Sequence, residues 1–328
     1  MSERKKMAWL ALLAGIGLQS VVTALLGLSM TPTDSLLMLA LAAVACTLLG
    51  AVAAVVNRDA TVARKPGVRA LVWLNIWTAI SFVAFFLGMG IHSAGVVFTL
   101  EASFAPLAVV AWNLFRVHRG DDQPGPSPVH VWTTCVLAVL GSSLVAVIAQ
   151  SESGGVISLL SAAALGLIAG IAAGGVVIVS RGLGRTGVGV GRVMAHRFYA
   201  TVVFAATILL TLIPSGMLAP PARDLGLIGA AALASIVAPL FLLQYAMQRL
   251  SPLSVTAALA AMPAITIAIE LASGRPVTWI VLFLGVLIVP ANLALIVRQR
   301  QRRPSLPTPL LSMFFPTQHR THSSVTTV

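Results

Sequence analysis

The sequence predicts an all-α membrane protein, with ten transmembrane helices arranged as two inverted five-helix repeats. Three observations carry that prediction. The composition is 58% hydrophobic and only 9% charged, with a mean hydropathy of +0.97, whereas a soluble domain carries about 25% charged residues. Apolar runs of about 20 residues, the length that crosses a hydrocarbon core ~30 Å thick, follow one another along most of the chain. The basic residues fall almost entirely in alternate loops. With the bilayer as solvent, each span must satisfy its own backbone groups, so the spans are helices.

The elements follow in order. Residues 1–6, MSERKK, form a short N-terminus. The run from Met7 to Leu28 exceeds the ~7–15 residues of a signal h-region, and no small-residue cleavage site follows it, so it is expected to stay as the first helix. Further spans are expected near 36–56, 70–90, 93–115, 130–150, 156–179, 197–217, 225–248, 252–272 and 277–297. Pro214-Ser215-Gly216 interrupts the end of the seventh. The first repeat then occupies 7–150 and the second 151–297. A tail, 298–328, starts with the basic run RQRQRR and continues as a Pro-, Ser- and Thr-rich stretch without period, expected to be disordered.

The net charge of +12 is mainly a topology signal. With the N-terminus in the cytoplasm, the inside segments hold Arg4, Lys5 and Lys6; Arg58, Arg64, Lys65 and Arg69; Arg116 and Arg119; Arg181, Arg185, Arg192 and Arg197; Arg249; and Arg298, Arg300, Arg302, Arg303 and Arg320. These are 19 of the 21 Lys and Arg, leaving Arg223 and Arg275 outside. Such a bias places both termini in the cytoplasm and argues against nucleic acid as a partner. The tail run 298–303 also suits contact with anionic lipid head groups.

Several chemistries find no support. Cys46 and Cys135 lie in different apolar runs and read as packing residues rather than metal ligands. The loop RGLGRTGVGVGR after the sixth span lacks the GK[ST] ending of a phosphate cradle and follows a span, not a strand. Asp121-Asp122 sit beside Pro124, Gly125 and Pro126 and read as a solvated turn. No catalytic or metal motif is present, so no enzyme activity and no cofactor is expected.

At an offset of 157 residues the two halves match by residue class. FVAFFLGMGIHSAGVVFTLEASFAP, from Phe82 to Pro106, aligns with PLFLLQYAMQRLSPLSVTAALAAMP, from Pro239 to Pro263, and the two prolines coincide. Five is an odd number of spans, so the second half is inserted upside down, the arrangement of many secondary transporters with a site at the repeat interface. The layout, together with Ser251-Pro252, Pro263, Gly274 and Gly285, resembles the EamA-like branch of the drug/metabolite transporter superfamily. Arg275 stands where that family usually has Glu. The resemblance implies a bundle that moves small metabolites by alternating access, without covalent cofactor or ATP site.

Glu101 is the leading candidate residue. It lies near the middle of the fourth run, five residues before Pro106. A carboxylate at mid-membrane depth costs about 2.5–3.5 kcal/mol on insertion scales and marks a functional site by default. Its helical face carries Ala94, Val97, Phe98, Phe104, Ala105, Ala108 and Trp112, and the alanines let a neighbouring helix approach. Such a carboxyl suits proton carriage or pairing with a cationic substrate; the bland alternative is a protonated Glu bonded to a neighbouring helix. Asn75, Gln19, Gln244, Tyr245 and Asn292 are the uncharged polar groups with reach, either helix–helix glue or cargo contacts. Pro106 and Pro263 free backbone carbonyls along the same pathway. His92, in an outer connector, and Glu270, near Arg275, complete the set. Trp73 and Trp77 are expected in an interfacial aromatic belt.

The sequence reading is therefore a secondary transporter, an exporter of a small metabolite or drug-like compound, in a bacterial inner membrane, since Arg far outnumbers Lys and Ala is abundant. A monomer is sufficient for a ten-helix pathway, and a homodimer is compatible with it. The rivals are a non-transporting accessory protein and a membrane enzyme acting on a lipid-linked substrate.

Overall fold

The computed structural model describes residues 2–26, 31–56, 67–92, 94–119, 125–151, 155–215 and 224–272, together with positions 283 and 287. The first six helices follow the apolar runs closely: α1 Glu3–Leu26, α2 Pro32–Val56, α3 Val68–Ile91, α4 Ala94–His118, α5 Pro128–Ser151 and α6 Val156–Arg185. The next three runs are each broken in two. The seventh is a short α7, Val190–Arg197, and α8, Tyr199–Leu212. The eighth is α9, Leu225–Ala232, a π-helical turn at Leu233–Val237, and α10, Ala238–Arg249. The ninth is α11, Pro252–Leu259, and α12, Met262–Ala272. The tenth predicted span, 277–297, and the tail lie outside the described residues apart from positions 283 and 287. No strand occurs among the described residues.

Local chemistry accounts for the starts and the breaks. Thr31 and Asp34 cap α2 reciprocally, Asp34 Oδ2 accepting from the Thr31 N–H at 3.3 Å and Thr31 Oγ1 from the Asp34 N–H at 3.1 Å. The Asp224 carboxylate accepts from the N–H groups of Gly226 and Leu227 to start α9, and Ser251, followed by proline, caps α11. Pro239 has no N–H to offer the Ser235 carbonyl, and the helix widens just before it, Ala238 N–H donating to Leu233 O instead. Pro263 opposes the carbonyl of Leu259, where α11 ends. Pro106, 157 residues earlier, interrupts nothing: α4 runs through it unbroken.

Among the described residues, seven helical segments are long and apolar enough to cross a membrane. Their outward faces carry exposed Leu48, Val52, Val139, Leu160, Val203, Phe204 and Leu210, while Thr78, Ser81, Arg197 and Gln244 are buried. An apolar outside around polar interior groups is the reverse of a soluble protein, and the chain is a multi-pass membrane protein.

α6 packs between α3 and α4. Gly166, Gly170 and Gly174, one turn apart, form the seam with α4; a Cβ on Gly170 would stand 2.7 Å from the carbonyl oxygen of Glu101. Such four-residue spacing of small residues lets two membrane helices meet backbone to backbone. On the side facing α3, a Cβ on Gly175 would stand 2.7 Å from the Trp77 ring. Trp77 and Trp73, stacked at 6.1 Å, are packed against the core rather than set in the expected belt.

Elsewhere α1 contacts α10 and α12, α2 contacts α7 and α9, and α3 contacts α8. Adding 157 to the bounds of α2, α3 and α4 gives 189–213, 225–248 and 251–275. The corresponding segments occupy 190–212, 225–249 and 252–272.

Candidate functional site

A cavity of about 70 Å³ opens among α1, α3, α4, α6, α10 and the segment breaks. Its polar wall is Gln19 from α1, Ser81 from α3, Glu101 from α4 and Arg197 from the α7 end. The rest is apolar: Phe82, Phe98 and the small Ala102 and Ala105 on one side, Leu240, Leu243 and Met247 of α10 on the other. Leu259 and Met262, flanking the α11–α12 break, close it. At about 10–15 Å³ of such volume per water, the cavity has room for several waters.

Glu101 reaches the cavity because α4 is pressed against α6 at Gly170, which fixes its backbone. Its side chain is half-buried and hydrogen-bonds with Ser81. Phe98 and Ala105, each one turn away on the same helix, share its wall, as does the adjacent Ala102.

Arg197 is the main correction to the sequence reading. Counted there as a loop charge on the cytoplasmic side, it is 1% exposed in the interior. The helix bends at Phe198 (φ −109°, ψ 5°) directly after it. Its Nε donates to Thr78 Oγ1 at 3.1 Å and its Nη1 to Gln244 Oε1 at 2.8 Å. The rings of Phe82 and Phe198 stand 5.8 and 5.3 Å from its guanidinium carbon, a cation–π arrangement. Its hydrogen-bond acceptors are neutral, and no carboxylate of the described residues lies within ion-pairing distance.

Asn75 staples the same bend from α3. Its Nδ2 donates to Leu71 O and His196 O, and its Oδ1 accepts from Ala200 N–H at 3.2 Å, so it grips both sides of Phe198. Gln244 is fully buried, bound through Oε1 to Arg197 and, at 3.4 Å, to Ser180 Oγ. Its Nε2 has no hydrogen-bond partner. Tyr245 turns away to stack under the Arg249 guanidinium, 3.6 Å from the ring centre.

The cavity therefore brings together Glu101 and Gln19, with Gln244 one contact behind through Arg197. Asn75 and Tyr245 hold helices elsewhere. Pro106 and Pro263 are buried beside the wall residues Ala105 and Met262 without lining it. His92 caps the end of α3, its N–H donating to Gly88 O at 3.2 Å. The Glu270 side chain and Asn292 lie outside the described residues.

Sequence reasoning missed Arg197, Ser81 and Thr78. The signal for Arg197 was in the repeat: subtracting 157 from 197 gives 40, and Ala40 lies eight residues inside α2. Position 197 is thus well inside its span, not at the edge of a loop.

At one end of the bundle, arginines from four helices come within electrostatic range of one another: Arg185 of Arg116, Arg181 of Arg185 and Arg249, and Arg249 of Arg4. The start of α1 and the ends of α4, α6 and α10 therefore share one face of the molecule.

No family model matches the chain, and no curated protein matches it. Among solved structures, one described only as the crystal structure of a protein is similar over 91% of this chain and 100% of that one, with a TM-score of 0.63 at 18% identity. At that identity the likeness is one of fold alone.

Proposed function

We propose that this chain is a secondary transporter, an EamA-like member of the drug/metabolite transporter superfamily, working by alternating access between two inverted five-helix repeats. The observation that carries the reading is the cavity itself. It holds a carboxyl and a guanidinium inside an apolar bundle, and residues at or near each described interruption of the later helices line it. Arg197 adjoins the Phe198 bend, Leu240 follows the π turn, and Leu259 and Met262 flank the α11–α12 break. Broken helices at a repeat interface are the usual site of transport, and a π turn often marks a functional point in a helix.

The helix contacts support the repeat. Exchanging α1 with α6, α2 with α7–α8, α3 with α9–α10 and α4 with α11–α12 turns the α1–α10 contact into α6–α3, α1–α12 into α6–α4 and α2–α9 into α8–α3. Each of these contacts is present, and the helix bounds recur at 157 residues. The shared arginine-rich face is the cytoplasmic one by the positive-inside bias, which puts the N-terminus inside and, with a tenth span, the C-terminus too. The cargo is a small metabolite or drug-like compound, moved outward across the bacterial inner membrane, with Glu101 carrying the coupled proton.

Purified protein in liposomes loaded with pooled metabolites tests the reading: cargo leaves protein-containing vesicles faster than empty ones. Equal rates across all pools contradict it, and turnover of a lipid-linked substrate selects the enzyme rival.

A further inference from the structure

We infer that the cavity takes a small apolar molecule bearing one carboxylate, seated on Arg197, whose guanidinium is held from behind by Gln244. This rests on the reading of the cavity as a substrate site and narrows its substrate class.

The argument starts from which charge is permanent. Among the described residues, two ionisable groups line the cavity, Glu101 and Arg197. A carboxyl can be neutralised by one proton, whereas a guanidinium keeps its charge in proteins. The permanent sign of the cavity is positive. A cationic cargo would have to enter beside a charge that cannot be removed; an anionic one is attracted to it.

The hydrogen-bonding inventory points the same way. Arg197 is nearly fully buried, and a buried charge without a counter-charge is strongly disfavoured. Its protein partners, Thr78 Oγ1 and Gln244 Oε1, are neutral and occupy two of its five N–H groups. Because Arg197 only donates, it fixes the Gln244 amide with its oxygen towards the guanidinium. That leaves Gln244 Nε2 as a buried donor with no acceptor. The fixed cation on the cavity wall thus lacks an anionic acceptor.

The class of anion follows from the rest of the wall. A guanidinium matches the planar, two-oxygen edge of a carboxylate. A doubly charged phosphate would meet one cation only and, on the far side, Glu101. Beyond the polar residues the wall is Phe82, Phe98, Leu243, Met247 and the small Ala102 and Ala105, which suits an alkyl or aryl body.

The test is binding, not flux, so that it can succeed or fail whether or not the protein transports. Detergent-purified full-length protein is titrated with acetate, isovalerate and phenylacetate, with their amides, and with phenethylamine, reading displacement of labelled phenylacetate and ligand-dependent thermal stabilisation. The expected result is that isovalerate or phenylacetate binds at least tenfold more tightly than its amide, that phenethylamine does not compete, and that Gln244→Leu weakens the carboxylate at least threefold while Arg197→Gln abolishes its binding. If Arg197→Gln does not fold, the carboxylate-to-amide ratio on the unmodified protein decides alone. Amides or the amine binding as well as the carboxylates, or no carboxylate binding at 10-millimolar scale, overturns the inference. Flux without carboxylate binding would leave the transporter standing and remove only this substrate class.

Discussion

The Nη1 of Arg197 donates to Oε1 of Gln244 at 2.8 Å in the interior of the bundle, and neither side chain is more than 1% exposed. The two residues come from α7 and α10; Arg197 lines the cavity and Gln244 lies behind it. A hydrogen bond to a charged group contributes about 1.5–3 kcal/mol, and its loss leaves the buried guanidinium short of an acceptor. Gln244→Leu is therefore expected to lower thermal stability in detergent by an amount of that order. Gln244→Glu, which supplies a counter-charge from behind, is expected to recover part of the stability while neutralising the guanidinium, so a stable protein that no longer binds carboxylate is the anticipated phenotype.

Close approach of α6 to α4 sets the position of Glu101. A side chain at Gly170 meets the Glu101 carbonyl oxygen at 2.7 Å, backbone rather than a flexible tip. Gly170→Val is expected to cost about 1–3 kcal/mol by overpacking and to impair flux more than Gly17→Val, since nothing lies within 4 Å of a Cβ at Gly17. Equal effects at the two glycines, measured by melting and transport together, would show that the seam does not position the carboxyl.

Asn75 holds the bend that delivers Arg197. Asn75→Ala removes its bonds to His196 O and Ala200 N–H at about 0.5–1.5 kcal/mol each. Carboxylate binding is expected to weaken several-fold although Asn75 does not line the cavity. Unchanged binding with lowered stability would make Asn75 helix glue only.

The bilayer made much of this fold legible. A fixed hydrocarbon thickness imposes a length on every span, and α1 to α6 fall where the apolar runs fall. The interior of the later spans was less legible because local sequence does not announce a break. Pro106 and Pro263 lie 157 residues apart, yet only the second coincides with an interrupted helix; α4 is packed closely along the glycines of α6. Glu101 stood out as a lone carboxylate in an apolar run. Arg197 did not, because it adjoins basic loop residues in sequence, and its acceptors Thr78 and Gln244 come from helices 119 and 47 positions away. Only the repeat offset placed it inside a span.

Alternating access predicts that the cavity is reached from one side at a time. With Cys46 and Cys135 replaced by Ser, Ala102→Cys on the cavity wall is expected to react with a membrane-impermeant maleimide from only one side in a given condition, and cargo is expected to change the rate. Reaction from both sides at equal rates, unaffected by any cargo, would describe a channel or an inert bundle.

The most direct measurement is cargo-triggered proton movement in proteoliposomes carrying an internal pH dye, comparing the unmodified protein with Glu101→Gln. Amino acids, sugars, apolar carboxylic acids and cationic drugs are added as pools under an imposed pH gradient. The account predicts a pH response to at least one pool that is lost in Glu101→Gln while cargo-for-cargo exchange persists, because the amide keeps the shape of the cavity and gives up only the exchangeable proton. A response of equal size in Glu101→Gln, or no protein-dependent movement of any cargo by either protein, would contradict it.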